Sequence, residues 1–471
     1  MLKKGLIWLL FTLVAGFALY VLWIAPSMPV QDTVPSETDA AGRRQGVEKT
    51  EKRRSQSEAI GPAVLSPDGR SALVVLGDRI ALCDLVSGRV QKTFASHLRG
   101  VTSLAVSPDG NTVLSGSDDG VVRLWNIENG REVGTFRGHT DAVTSVAFSP
   151  DGRLALSAGL EGSTRLWDIA SGRKVRTFAG AGSESNTAAL FAPDGRSILS
   201  EACSKKGLAL WDPGNGQPVR DFGSGSDYSC RSAFSPDGRS VMVGSFSSGV
   251  RLLDVASGRG LRMFDVSSYW QEGKPIAFSP DGRSVVWGGV GGTVRLWDVS
   301  GANTLWGQIV WAITPAARPR IFVGQHSEQE KSLKLAWSGH SLMSFMGLFG
   351  DVNSVAFTAD GRRIMAAGGR SLTLWDVATG EVLVTLRLFT DDSWLVVTQE
   401  GFYDSSVPQD VHALRNLVGI KGLTRCSDAE IEQALHRPDL VAEKLSGDGA
   451  GKVRAAEAAF DLEKACPGGP R

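Results

Sequence analysis

The chain has 471 residues, too many for one ordinary compact core, so it holds either two or three domains or a repeat architecture that extends one domain. Lys plus Arg and Asp plus Glu both number 50, a formal net charge of zero, which excludes the basic footprint of a general nucleic-acid binder. With 56 Gly and 13 Trp, the composition points to many tight turns and a recurring aromatic packing position, as in all-β repeat proteins.

Between Gly5 and Gln31 there is no charged residue, and Leu6 to Ala25 is almost wholly apolar. A helix of about 20 residues spans roughly 30 Å of hydrocarbon, so residues 1–25 are expected to be a cytoplasmic N-terminus and an uncleaved transmembrane anchor. Lys3 and Lys4 precede the span and no Lys or Arg follows until Arg43. The positive-inside rule then leaves the rest of the chain on the far side. Residues 26–58 are rich in Pro, Ser and mixed charge and lack aromatic residues, the composition of a disordered tether.

From residue 59 a turn signal recurs: SPDG at 66, 107, 149, 235 and 279, APDG at 192, TADG at 358, and a degenerate TPAARPR at 314. Most spacings are 41 to 44 residues, a period that fits a four-stranded propeller blade. Pro presets φ for the first central turn position, Asp favours the next, and Gly takes the left-handed conformation that closes the hairpin. Short apolar strands flank each turn, and a third strand ends in Trp-Asp or Trp-Asn at Trp125, Trp167, Trp211, Trp297 and Trp375. Cys83 and Leu253 replace Trp in the first and fifth units. Eight units are counted, starting near 59, 98, 140, 183, 226, 270, 308 and 351, and seven blades are the alternative because the unit at 308–346 diverges.

These units resemble WD repeats, whose blades form β-propellers; Gly138-His139 matches the family's Gly-His as well. The resemblance covers 59–389 and implies an all-β propeller of four-stranded antiparallel blades. It also implies a hydrogen-bonded group within a blade: His97, Ser115, Asp119 and Trp125 in the second unit, and His139, Ser157, Glu161 and Trp167 in the third, where Glu stands for the family's Asp. In such a ring Cys203 and Cys230 fall on one face of adjacent blades and are candidates for a disulfide. Cys426 and Cys466 are a second candidate pair, with Cys83 buried and reduced; free thiols are the alternative.

The tail, 390–471, begins with half of a ninth unit, a hairpin of Trp394 to Thr398 and Phe402 to Ser405, and then turns helical. Ser427 and Glu430 have the spacing of a capping box, and Pro438 opens a second helix. Trp394, Gly401, Tyr403, Asp404, Ser405 and the RPDLV at 437–441 resemble a segment that, in bacterial proteins, links WD repeats to caspase-like domains. No Cys/His protease signature accompanies it.

No catalytic, cofactor or metal site is expected. His326, His340, His412 and His436 lack metal-ligand spacing, and the recurrent Asp residues are explained by turns. Arg123, Arg165, Arg251 and Arg295 recur at one strand position and are read as packing between blades. The expected function is a non-enzymatic, membrane-tethered scaffold that binds a protein or peptide, in a bacterial inner membrane with the propeller in the periplasm. Candidate contacts are Tyr269 and Trp270, in the Ser268 to Gln271 stretch, and His326 in the stretch to Lys331. The alternatives are the sensor subunit of a split system with a separate caspase-like effector, and a hydrolase using the central channel.

Overall fold

The computed structural model describes residues 59–465 apart from loop segments, the longer being 180–185, 203–207, 223–228, 265–274, 300–319, 322–340, 346–350, 407–413 and 415–425. The expected anchor and tether, residues 1–58, lie outside the described residues. Among those described, no helix is long and apolar enough to cross a membrane.

Seven sheets, not eight, make a propeller, each built on four antiparallel strands. Blades 1 to 5 each take four consecutive strands, the first running from Ile60–Leu65 to Val90–Phe94 and the fifth from Ser229–Phe234 to Gly260–Phe264. Each strand is short and carries its apolar residues on a half-buried pleat, so a blade is stable only when its faces are covered by the neighbouring blades.

The expectation of eight units fails at residues 308–346. Blade 6 takes three strands between Ile276 and Asp298, and its fourth is Ser341–Phe345, paired antiparallel with Val294–Asp298. Arg320–Ile321 runs parallel to the outside of that strand. The intervening residues are therefore an insertion between the third and fourth strands of one blade. The apolar runs within it imitate a unit, but no fresh inner hairpin comes with them among the described residues.

Blade 7 has six strands in sequence order, from Val352–Phe357 to Val382–Leu388 and then the added pair Trp394–Thr398 and Tyr403–Ser405. The extra hairpin covers the outer edge that blades 1 to 5 leave open among the described residues; in blade 6 the short strand Arg320–Ile321 lies on that edge. Three helices follow: α1 (Asp428–Leu435), α2 (Pro438–Ser446) and α3 (Lys452–Ala459). α1 starts at a complete capping box, with the Glu430 amide donating to Ser427 Oγ and the Ser427 amide to Glu430 Oε2. α2 has Pro at its first turn and stops at Gly447, φ +104°.

Hydrophobic clusters sit between blades. In three consecutive-blade pairs, a Phe of one fourth strand meets the Trp of the next third strand: Phe136 and Trp167 with centroids 5.8 Å apart, Phe178 and Trp211 at 5.9 Å, Phe264 and Trp297 at 5.4 Å. At the seam between blades 7 and 1 the matching positions hold the smaller Leu386 and Cys83. There the core is enlarged from the tail, because Trp394, Val441 and Leu445 join the same cluster. A register skip in the fourth strand leaves Val133, Val175 and Val219 exposed at 57%, 50% and 54%, whereas their blade-7 counterpart Leu383 is 5% exposed and packs in that same cluster with the α2 residues.

Among the described residues no strand is exchanged between the ends of the ring. Closure rests on polar links as well as on this core: the Ile60 amide donates to Gly369 O at 2.7 Å, Asn353 Nδ2 to Ile60 O at 2.7 Å, and the Ala63 amide to Ser354 Oγ at 2.9 Å.

Candidate interaction surfaces

The two polar groups expected from the repeat lie wholly within their blades. Ser115 Oγ is 2.6 Å from His97 Nε2 and accepts the Trp125 indole N–H at 2.8 Å, and His97 Nδ1 is 3.3 Å from the Asp119 carboxylate. In blade 3, Ser157 Oγ is 2.7 Å from His139 Nε2 and 2.8 Å from Trp167 Nε1, while His139 Nδ1 meets Glu161 Oε1. The longer Glu161 reaches the histidine, but its Oε2 is buried with no hydrogen-bond partner among the described residues.

Burial lowers both histidine pKa values. The Arg123 charge adds to this at His97 and Asp119 opposes it, while Glu161 opposes it at His139. Arg123 donates to Asp119 Oδ2 at 2.9 Å, and Arg165 Nη2 lies 3.5 Å from Glu161. These two arginines therefore brace the turn of their own blade rather than join neighbouring blades as expected.

The hydroxyl occurs only in blades that have the indole, though not in all of them: blades 6 and 7 keep Trp297 and Trp375 but put Trp287 and Ala366 at the hydroxyl position. Ser200 accepts from Trp211 Nε1 at 2.8 Å in blade 4, whereas blades 1 and 5, which lack the Trp, put Val74 and Val243 at the hydroxyl position. A buried hydroxyl is kept only where an indole N–H needs it.

Links between blades come instead from a cation in the fourth strand, which the sequence reading missed. Lys92 Nζ donates to Glu128 O in the next blade. Arg176 reaches Gly214 O at 2.7 Å and Asn215 O at 3.0 Å, Arg220 reaches Ser257 O at 3.2 Å, and Arg262 reaches Asp298 O at 3.2 Å. The available signal was the run Lys-Thr-Phe at 92–94 repeated as Arg-Thr-Phe at 176–178.

The SPDG turns gather on one face. Each central Gly has φ between +66° and +74°, and a methyl group added to it at 110, 152, 195, 238, 282 or 361 would touch the Pro of the preceding blade's turn at 3.4–3.6 Å. On Gly69 it would meet Thr358 Cβ of blade 7 at 3.3 Å. The seven turns thus form a closed collar around the axis. Within a turn, Ser149 Oγ donates to Asp151 Oδ1 at 2.5 Å and accepts the Leu154 amide at 2.9 Å, and the Arg153 amide donates to Asp151 Oδ1 at 3.1 Å. These bonds, the serine hydroxyl's first, hold Asp68, Asp109, Asp151, Asp237 and Asp281 below the usual carboxylate range.

On the same face a cleft of about 620 Å³ opens between blades 1 and 2, lined by Asp68, Asp109, Glu128 and Lys92 over an apolar floor of Leu73, Leu82 and Ile127. Elsewhere, between blades 4 and 5, Glu201 is 1% exposed and near Ser232 Oγ, 3.2 Å from Oε2. Burial pushes its carboxyl up to about 7 against the opposing Arg231 charge.

Tyr269, Trp270 and His326 lie outside the described residues, as do Cys203 and Cys466. Cys230 sits in the first strand of blade 5, its side chain not described. Cys426 is disulfide-bonded and 4% exposed, while Cys83 is a buried free thiol whose pKa burial raises to about 12.

The family described as WD domain, G-beta repeat matches residues 88–126, 130–168 and 337–376. Each match runs from a fourth strand into the first three strands of the next blade, so the sequence repeat is offset from the blade by one strand. Striatin of Mus musculus and of Rattus norvegicus is 37% identical over 75 residues, covering 16% of this chain and 10% of theirs. Human striatin is 45% identical over 49 residues, 10% of this chain and 6% of its own. The chain therefore spans no more than about a tenth of the curated relatives it matches. It carries WD40 repeats, and the fold that contains them is a seven-bladed, all-β propeller.

Proposed function

We propose that this chain is a non-catalytic scaffold whose propeller is a rigid display surface for protein or peptide partners. The observation that carries this reading is where the repeated polar residues go. His, Ser, Asp and Trp bond within a blade, fourth-strand cations bond the next blade, and the turn aspartates bond their own turns. Chemistry that could converge on a substrate is used for rigidity, and the exposed turns are left for recognition. The apolar segment Leu6 to Ala25 supplies a membrane tether, and the disulfide at Cys426 is consistent with an oxidising compartment outside a bacterial inner membrane. In-host crosslinking of the full chain tests the scaffold: specific protein partners are expected, and capture of self alone or of nothing would sink it. A C-terminal reporter fusion tests the topology, with activity of a periplasmic reporter as the expected result.

A second reading is the sensor subunit of a split system with a separate caspase-like effector. The tail favours it, since the residues that resemble the linker form an ordered module docked on blade 7. Co-purification of a Cys/His protease with the full chain supports this reading, and partners that never include one count against it.

A further inference from the structure

Glu201 reverses a pattern found in three other blades. There a first-strand serine stands opposite a small residue of the second strand: Ser103 opposite Gly116, Ser145 opposite Ala158, and Ser354 opposite Ala367. Each serine hydroxyl accepts an amide from the first strand of the next blade, Val146 at 3.1 Å, Ala189 at 3.4 Å and Ala63 at 2.9 Å. Blade 4 has Ala188 on the first strand and Glu201 opposite it on the second. The matching amide of blade 5 belongs to Ser232, and the Glu201 carboxyl meets it in place of a serine, while Ser232 Oγ donates to Oε2 at 3.2 Å. In the other six blades the position of Glu201 holds Val, Gly or Ala.

The same seam lacks the aromatic pair. Phe222 and Leu253 share its cluster, where the seams on either side pair Phe178 with Trp211 and Phe264 with Trp297. The seam between blades 7 and 1 also lacks the pair but gains Trp394, Val441 and Leu445 from the tail, whereas every member of the cluster between blades 4 and 5 comes from those two blades. The link across this seam is therefore an acid in an apolar joint. A neutral carboxyl fits such a place, while a carboxylate there must be hydrated or paired. Arg231, on the first strand of blade 5, is the charged group whose field reaches it.

We propose that the seam between blades 4 and 5 is a pH-operated joint of the ring: it is closed while Glu201 is protonated, and ionisation of Glu201 opens it locally while the other seams hold. Burial raises the carboxyl from 4.5 to about 7, and the Arg231 charge and the Ser232 hydroxyl and amide oppose it. The closed seam thus keeps a proton that the opened one loses above 4.5, and this contribution disappears as pH rises through about 7. His97 and His139, in blades 2 and 3, are lowered and have the opposite sign, so they weaken the fold as pH falls and cannot imitate the joint.

The test is hydrogen exchange of the full chain at pH 6 and pH 8, read by mass spectrometry, with each rate divided by the intrinsic rate of that amide at that pH. Opening of Ser229–Phe234 should rise by up to about tenfold between the two, and opening of the matching blade-3 strand, Val143–Phe148, by less than about twofold. Glu201→Gln should remove the rise. Ala188→Ser combined with Glu201→Ala rebuilds the arrangement of Ser145 and Ala158 and should also leave the seam equally protected at both pH values. Equal protection of Ser229–Phe234 in the wild type at pH 6 and pH 8 overturns the proposal, and this comparison decides by itself if a variant fails to fold. So does a rise that survives in Glu201→Gln, or one shared equally by Val143–Phe148, which would report loosening of the whole ring instead of one joint.

Discussion

Arg89 Nη2, on the last turn of blade 1, lies 3.3 Å from Asp404 Oδ2, in the hairpin added to blade 7. The same guanidinium lies over the Trp394 ring, 5.8 Å from its centroid, and His436 Nε2, between α1 and α2, is 3.5 Å from Asp404 Oδ1. One carboxylate therefore ties the first blade, the last blade and the helical tail together at a seam where the Phe and Trp pair is missing. A buried ion pair, Lys444 Nζ to Glu400 Oε1 at 2.5 Å, fixes α2 to the hairpin turn.

The tail should accordingly act as the clasp of the ring. Ending the chain after Phe389 uncovers Leu383, Leu386 and Leu388 and should lower the unfolding midpoint. Faster hydrogen exchange should be confined first to Ile60–Leu65 and Leu372–Leu388. Leu445→Ala alone, at a position 2% exposed, should cost about 2–4 kcal/mol in denaturant unfolding. A truncated chain with wild-type stability would show that the seam closes without the tail.

Ser115→Ala should destabilise the domain by about 2–4 kcal/mol, because it strands both His97 Nε2 and the Trp125 indole N–H in a buried site. Both repeat histidines are held below 6.5, so between the lowered value and 6.5 the folded state binds fewer protons than the unfolded chain. Stability should then fall as pH drops through about 6.5. Replacing His97 and His139 together by Gln should flatten that slope in urea titrations at pH 7.5, 6 and 5.

Glu201 has the opposite sign. Its carboxyl is raised from 4.5 to about 7, so the fold binds the extra proton and this contribution is lost as pH rises through about 7. Glu201→Gln should therefore gain stability relative to wild type at pH 8, by up to about 3 kcal/mol, and little at pH 4. Equal effects at the two pH values would contradict a buried neutral acid.

The strands and turns were legible because their causes are local. The SPDG turn needs its Pro, Asp and left-handed Gly wherever it occurs, and the Ser427 to Glu430 box marks a helix start by itself. Blade number was not legible, because apolar runs such as SLMSF look alike whether they begin a blade or return to finish one. Only pairing with Val294–Asp298 assigns Ser341–Phe345 to blade 6.

The cysteines should divide into two classes under non-reducing conditions. Cys83, at 0% exposure with its thiol raised to about 12, should resist alkylation until the chain is unfolded. A peptide map of the unreduced chain should place Cys426 in a disulfide-linked peptide, with Cys466 as the expected partner. Reduction should then cost about 4 kcal/mol in the chain-entropy view of a loop of that length. Recovery of Cys426 as a free thiol from the oxidised protein would be the contrary result.

The insertion in blade 6 should be dispensable for the ring. Ser341–Phe345 finds Val294–Asp298 through backbone pairing and register, neither of which uses residues 302–338. Replacing those residues by a short Gly-Ser linker shortens the loop to be closed and should favour folding by about 1–2 kcal/mol, offset by the loss of the short parallel pairing at Arg320–Ile321. The expected outcome is an unchanged far-UV spectrum in the strand region and a single cooperative melt within a few degrees of wild type. If the segment were an independent blade, its removal would open the ring, splitting or abolishing the transition and exposing the Gly361 and Pro280 contact of the collar to rapid hydrogen exchange nearby.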